Sequence, residues 1–125
     1  MRHRIKAVKL NRNQAQRKAL LRGLAQQVLI HGQITTTKAK AKAVKPIIDR
    51  LIAKAKQTNT VHQQRLARQF LVKQDLVNKL FNQIAPRYQR SSGFSRIVPL
   101  KYRRGDNSLI VKLELLPSDQ DKKTN

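Results

Sequence analysis

No carboxylate occurs before Asp49, and twelve Lys or Arg precede it. A segment with that imbalance repels itself, so any fold it adopts must hold its cations apart and turn them outward toward an anion. The opening MRHRIKAVKLNRNQAQRKALLRGL alone carries eight Lys or Arg. The bias runs through the chain, with 28 Lys+Arg against 6 Asp+Glu in 125 residues and a formal net charge of +22. Polyanion is the partner class this favours. Apolar residues at 39% allow a modest core in one domain. They recur at structured spacing between the charges, which argues for a folded unit against a disordered basic tail.

Several chemistries are disfavoured at once. The absence of Cys removes disulfides and thiolate metal sites and makes a reducing interior the expectation. No apolar run approaches the roughly 20 residues that span a bilayer, and no signal-type apolar stretch is seen, so a soluble chain without a membrane partner is expected. An Arg-rich, acid-free start also suits an organellar transit peptide, but those are Ser-rich and the first Ser here is Ser91. His3, His31 and His62 lack carboxylates at ligand spacing, so no metal is expected, and His31 is better placed to tend a helix C-terminus. No nucleophile stands beside a base, no acids pair, and no Gly-rich phosphate loop can be assembled. Catalysis, a cofactor and a small-molecule substrate are therefore not expected. Arg104-Gly105-Asp106 spells an adhesion tripeptide, yet it reads more simply as a hairpin turn.

Along the chain, the first ten residues lack periodicity and read as a basic arm. Asn11 or Asn13 can then cap a helix whose stripe is Leu20, Leu21, Leu24, Ala25 and Val28, with Gly32 ending it. The β-branched Gln33 to Thr37 suits a strand. KAKAKAVKPIIDRLIAKAK follows as the firmest helix, with Val44, Ile47, Ile48, Leu51, Ile52 and Ala55 on one stripe; Pro46 either kinks it or stands near the start of a second helix, and the kink is preferred. Leu66, Ala67, Phe70 and Leu71 mark a shorter helix, and another runs from near Asp75 until Pro86 stops it. The period then switches. Val98, Leu100 and Tyr102 alternate on one strand, and Leu109, Val111, Leu113 and Leu115 on the next, joined by Gly105-Asp106-Asn107. Pro99 requires an edge or an outward-facing position. The class is α+β, about four helices on about three strands including a C-terminal hairpin. Residues 1–116 form the expected single domain, with the arm at 1–12 and a polar tail at 117–125.

Three basic surfaces emerge as phosphate-binding candidates. The arm supplies Arg2, His3, Arg4, Lys6, Lys9 and Arg12, which can order along nucleic acid as charge is neutralised. Behind it stand Arg17, Lys18 and Arg22 of the first helix. The second surface is Lys38, Lys42 and Lys45, spaced to share one helix face, with Lys40 to one side and Thr36 and Thr37 before them. Unmatched like charges weaken a helix, so the row makes more sense against phosphate than against water alone. The third is RYQRSSGFSRIVPLKYRRGDN, with Arg87, Arg90, Arg96, Lys101, Arg103 and Arg104 among Tyr88, Phe94 and Tyr102. Arg binds phosphate bidentately and an aromatic ring can stack an unpaired base, so both favour structured RNA. Tyr102 fits the hairpin's core pattern and can simply pack, and Phe94 can cover a helix end, so the Arg residues rank ahead of the rings.

The segments MRHR, Lys9-Leu10, RKALLRGLAQQVLIHGQITTTKAKAKAVKPIIDRLI, KLFNQIAPRY, GFSRI and RRGDNSLIVKLEL together resemble the bacterial-type large-subunit ribosomal protein seventeen family, in the same order from Met1 to Leu116. Departures from the family pattern stand at Gln16, Gly23 and Ser91-Ser92. The resemblance implies a small α+β protein with a mixed sheet. It also implies a structural, non-catalytic role on large-subunit rRNA, on the solvent side near the peptide exit, beside neighbouring ribosomal proteins. The compartment it implies is the cytoplasm, within the ribosome, with an organellar ribosome also allowed. Charge alone would equally allow a DNA-compacting architectural protein. An RNA-modifying enzyme would need a catalytic constellation the sequence does not offer.

Overall fold

The computed structural model describes residue 3, residues 8–57 and residues 60–119. The chain runs α1 (Gln14–His31), β1 (Gln33–Thr37), α2 (Lys38–Ala55), α3 (Thr60–Leu71), α4 (Gln74–Lys79), β2 (Ser95–Tyr102) and β3 (Leu109–Leu115). A π-helical turn, Leu80–Ile84, and a 3-10 turn, Ala85–Arg87, extend α4. The α+β class is as expected, with four α-helices and one three-stranded sheet in the order β1-β3-β2.

Local chemistry sets the boundaries. Asn13 caps α1, its side-chain oxygen accepting from the Gln16 N–H at 2.8 Å. Gly32 ends the helix at φ 79, a conformation open to glycine, and its N–H donates to the Val28 carbonyl. β1 passes into α2 with no residue between them. Ala41, Val44, Ile48, Leu51, Ile52 and Ala55 give α2 one buried stripe. Pro46 lies within this single helix and is exposed, so water can reach the Lys42 carbonyl that it deprives of a donor. Val72 ends α3 in the left-handed region at φ 68, which costs an L side chain about 1–2 kcal/mol. Partners from α1 hold the carbonyls beside it: Arg22 Nε donates to Phe70 O at 2.7 Å and Gln26 Nε2 to Leu71 O at 2.6 Å. Lys79 does the same for α1, its Nζ donating to Ile30 O at 2.8 Å. Cations thus serve as helix C-terminal caps across the core.

Three expectations need correction. The sheet is antiparallel throughout rather than mixed, because β1 joins the free edge of β3 antiparallel, as the hairpin partner β2 does on the other side. Pro86 does not stop the last helix; it stands near the start of the 3-10 turn, where its missing N–H costs nothing, and the chain turns on to Arg87. The core side of β2 is also not the Val98, Leu100, Tyr102 set. Ile97 opposes Leu113 and Ser95 opposes Leu115, and this is the row that meets the helices. Leu100 is 50% exposed and Tyr102 65%. Val98 already opposes Lys112 on the outer row, and a register shift between Pro99 and Lys101 then breaks the alternation, so counting by twos from Val98 follows neither face. Pro99 itself lies on an edge strand at this irregularity, as its missing N–H requires.

One face of the sheet packs on the helices. Ile34, Leu113 and Ile97 stand side by side across the three strands and meet the buried stripes of α1 and α2. Phe94, fully buried, fills the corner where the chain enters β2. No helix among the described residues is long and apolar enough to cross a membrane.

Candidate nucleic-acid interface

The carboxylates decide which cations are available. Asp49, on α2, accepts from Lys45 Nζ at 2.9 Å, from Ser95 Oγ at 2.7 Å and from the Phe94 N–H at 3.3 Å, tying α2 to the start of β2. Asp119 accepts from the Arg90 guanidinium at 2.7 Å and from the Gln89 and Arg90 N–H groups. Glu114 sits between Arg96 and Lys112, with Lys112 Nζ at 3.0 Å. Asp106 holds Arg103 at 2.5 Å and accepts from the Ser108 N–H and hydroxyl, closing the hairpin turn. The Arg103, Arg90 and Arg96 hydrogen bonds lead in holding Asp106, Asp119 and Glu114 respectively below the usual carboxylate range. These four acids therefore neutralise Lys45, Arg90, Arg96 and Arg103 from within the protein.

The rings in the third basic segment face inward. Phe94 is fully buried and Tyr88 is 4% exposed, their centroids 5.2 Å apart. Tyr88 Oη donates to the Leu116 carbonyl at 2.7 Å, and burial pushes its pKa up. Lys56 stacks over Phe94 at 5.4 Å and donates to the Arg90 carbonyl. Tyr88 and Phe94 were expected to offer faces to bases; they are core residues, and neither ring has a free surface to stack on. Tyr102, expected to pack, is the exposed ring. Arg87, Lys101 and Arg104 remain exposed and form no ion pair among the described residues.

The start of α2 is the opposite case. Thr37 stands at its N-cap with extended backbone but makes no side-chain cap hydrogen bond, and no acid lies in the first turn. The first N–H groups therefore lack an intrahelical or side-chain partner at the positive end of an 18-residue helix. Lys38 and Lys42 are exposed beside them and form no ion pair among the described residues. Thr37, Lys38, Ala39, Lys42, Ser108 and Leu109 line an open hollow of about 560 Å³ there. Thr36 and Lys40 are half-buried, and Lys45, the last of the row, is held by Asp49. Ser108, from the far end of the hairpin turn, carries no local sequence signal that would place it here.

The arm candidates Arg2, Arg4 and Lys6 lie outside the described residues; His3 and Lys9 are exposed. Its junction with α1 is folded. Leu10 and Asn11 take left-handed conformations, Arg12 N–H donates to Lys9 O, and Arg12 Nη1 reaches Leu10 O at 2.9 Å. Arg17 Nη1 donates to Arg12 O at 3.3 Å, and Lys18 projects from the first turns of α1. Arg22, a candidate for phosphate, is instead the cap on α3 described above. A local reading of charge could not find that role, since its acceptor is 48 residues away.

Comparison with known proteins adds an independent line. The family described as Ribosomal protein L17 matches residues 20–116. A protein of Petrotoga mobilis named large ribosomal subunit protein bL17 is 44% identical over 128 residues, covering 96% of this chain and all of its own length. A protein of the same name from Gemmatimonas aurantiaca is 40% identical, covering 94% of this chain and all of its own. Another, from Agrobacterium fabrum, is 40% identical and covers 98% of this chain and 87% of its own length.

Proposed function

Because the chain belongs to the ribosomal protein L17 family, we propose that it is a structural, non-catalytic constituent of the large ribosomal subunit that binds and stabilises large-subunit rRNA. The observation that carries the rRNA reading is the start of α2. An uncapped helix terminus, flanked by Lys38 and Lys42 without internal counter-ions, offers N–H donors and positive charge to one phosphate group. Exposed Lys9, Lys18, Arg87, Lys101 and Arg104 extend the cationic surface along which an RNA backbone would run. The remaining arm cations, Arg2, Arg4 and Lys6, belong to the same reading through their charge in the acid-free opening of the chain and through the resemblance.

In this reading residues 1–116 act as one RNA-binding unit with a polar tail, in a cytoplasmic ribosome, beside other large-subunit proteins. A site on the solvent side near the peptide exit follows from the family resemblance. Affinity for rRNA is electrostatic in origin, so with six to ten phosphate contacts it falls by roughly 10³ to 10⁵ between 50 and 200 mM salt.

Sedimentation of ribosomal particles through a high-salt gradient tests the proposal. The chain is expected to travel with the large subunit and to protect discrete rRNA segments from chemical cleavage. Finding it only in free fractions at low salt overturns the reading. Duplex DNA competing as well as folded rRNA fragments would favour an architectural DNA-binding role instead.

A further inference from the structure

A hollow of about 250 Å³ lies between α2, α3 and the π-helical turn. Its floor is Ile47, Leu51, Leu66, Phe70 and Phe81, and Arg50 and Lys54 stand on its rim. Both cations are exposed and form no ion pair among the described residues. The nearby α3 contains no acid at all, and Asp49, the acid on α2, is engaged by Lys45 and Ser95. Gln63, also lining the hollow, has a buried Oε1 without a hydrogen-bond donor among the described residues. We propose that this groove receives an apolar side chain from an acidic amphipathic segment of a partner protein.

Size, chemistry and position agree on that occupant. The volume is below the roughly 300 Å³ at which pockets begin to hold drug-sized molecules, and suits one anchoring side chain. An apolar floor under a purely cationic rim is complementary to a carboxylate flanking a Leu or Phe, as in helix-in-groove recognition. A phosphate backbone would meet the rim but leave the floor wet. A second copy would bring its own net positive charge against the rim. At about 100° per residue, Arg50 stands roughly 120° round α2 from Lys38, and Lys54 the same from Lys42. The groove therefore opens on a different flank from the phosphate surface, and the two can be occupied together and can fail separately.

The test uses the full chain and fluorescence anisotropy of a labelled synthetic helix-forming peptide with Leu and Phe on one face and Glu on the other. A control peptide keeps the Glu residues and replaces the apolar face by Ser. The amphipathic peptide is expected to bind about tenfold more tightly than the control. Arg50→Glu with Lys54→Glu should weaken it about tenfold, while Lys38→Glu with Lys42→Glu should leave this binding in place and weaken rRNA binding instead. Arg50→Gln with Lys54→Gln should give a smaller loss in the same direction, and thermal melts show whether each variant is folded. Equal binding of the two peptides, or equal losses from both pairs of substitutions, overturns the proposal. A single-stranded RNA oligonucleotide that displaces the peptide and itself depends on Arg50 and Lys54 would also overturn it, assigning the groove to RNA. So would self-association of the chain that the Arg50 and Lys54 substitutions abolish, which would assign it to a second copy.

Discussion

The start of α2 and the segment from Arg87 to Arg104 are both dense in cations, yet the fold treats them differently. In the later segment Arg90, Arg96 and Arg103 each hold a carboxylate, and two of its three rings, Tyr88 and Phe94, are buried. At the start of α2, Lys38 and Lys42 have no internal counter-ion and the helix end beside them has no cap. A run of Lys or Arg therefore says little about where a polyanion docks until its carboxylates have been placed. The few acids of this chain are largely spent fastening the sheet and the loop before it, which leaves the helix terminus as the unsatisfied end.

The contrast can be broken most forcefully at Phe94. If it is a core residue, Phe94→Ala destabilises the protein by about 3–5 kcal/mol, read in urea unfolding. A variant with unchanged stability and weakened rRNA binding would return the ring to the interface. Next, Lys38→Ala with Lys42→Ala should lower the slope of log affinity against log salt for an rRNA fragment by about 1.4 to 1.8 with little change in melting temperature. An unchanged slope would mean that the α2 terminus touches no phosphate.

The acid limb of stability sharpens the other half of the comparison. Asp106, Glu114 and Asp119 are held below their ordinary range in the folded state, so their contribution is complete above the unfolded carboxylate pKa of about 4. It is lost as pH falls through the lower folded values. Urea midpoints should therefore be flat from neutral pH to about 5 and decline below 4, and Asp119→Asn should make that decline shallower. The smallest effect is expected from Arg103→Ala. Its pair with Asp106 is exposed at the hairpin turn, so the melting temperature should barely move. A large drop would show the turn to be a structural centre.

Local chemistry made much of the architecture legible. Asn13 and Gly32 bound α1, the stripe from Val44 to Ala55 identifies α2, and Gly105 and Asn107 close the hairpin with positive φ. Partners distant in sequence did not announce themselves. Arg22, Gln26, Lys56 and Lys79 each bond a carbonyl on another segment, and nothing within a few residues distinguishes them from solvated side chains. The β2 strand misled for a different reason. Its inner row begins at the small polar Ser95, which occupies a core position because Asp49 accepts its hydroxyl, while the more apolar Val98 opposes Lys112 on the outer row. Among the candidate cations, a two-residue pattern cannot tell Arg96, bound to Glu114 across the strand pair, from Lys101, which is unpaired among the described residues.

The direct passage from Thr37 to Lys38 has a mechanical consequence. A strand that becomes a helix with no slack between them cannot let one move while the other stays. An anion seated on the first turn of α2 would therefore pull on the β1 rung that pairs Thr37 with Ile110. Docking should be felt one strand inward, as slower amide hydrogen exchange along β1 and β3 well away from the bound phosphate.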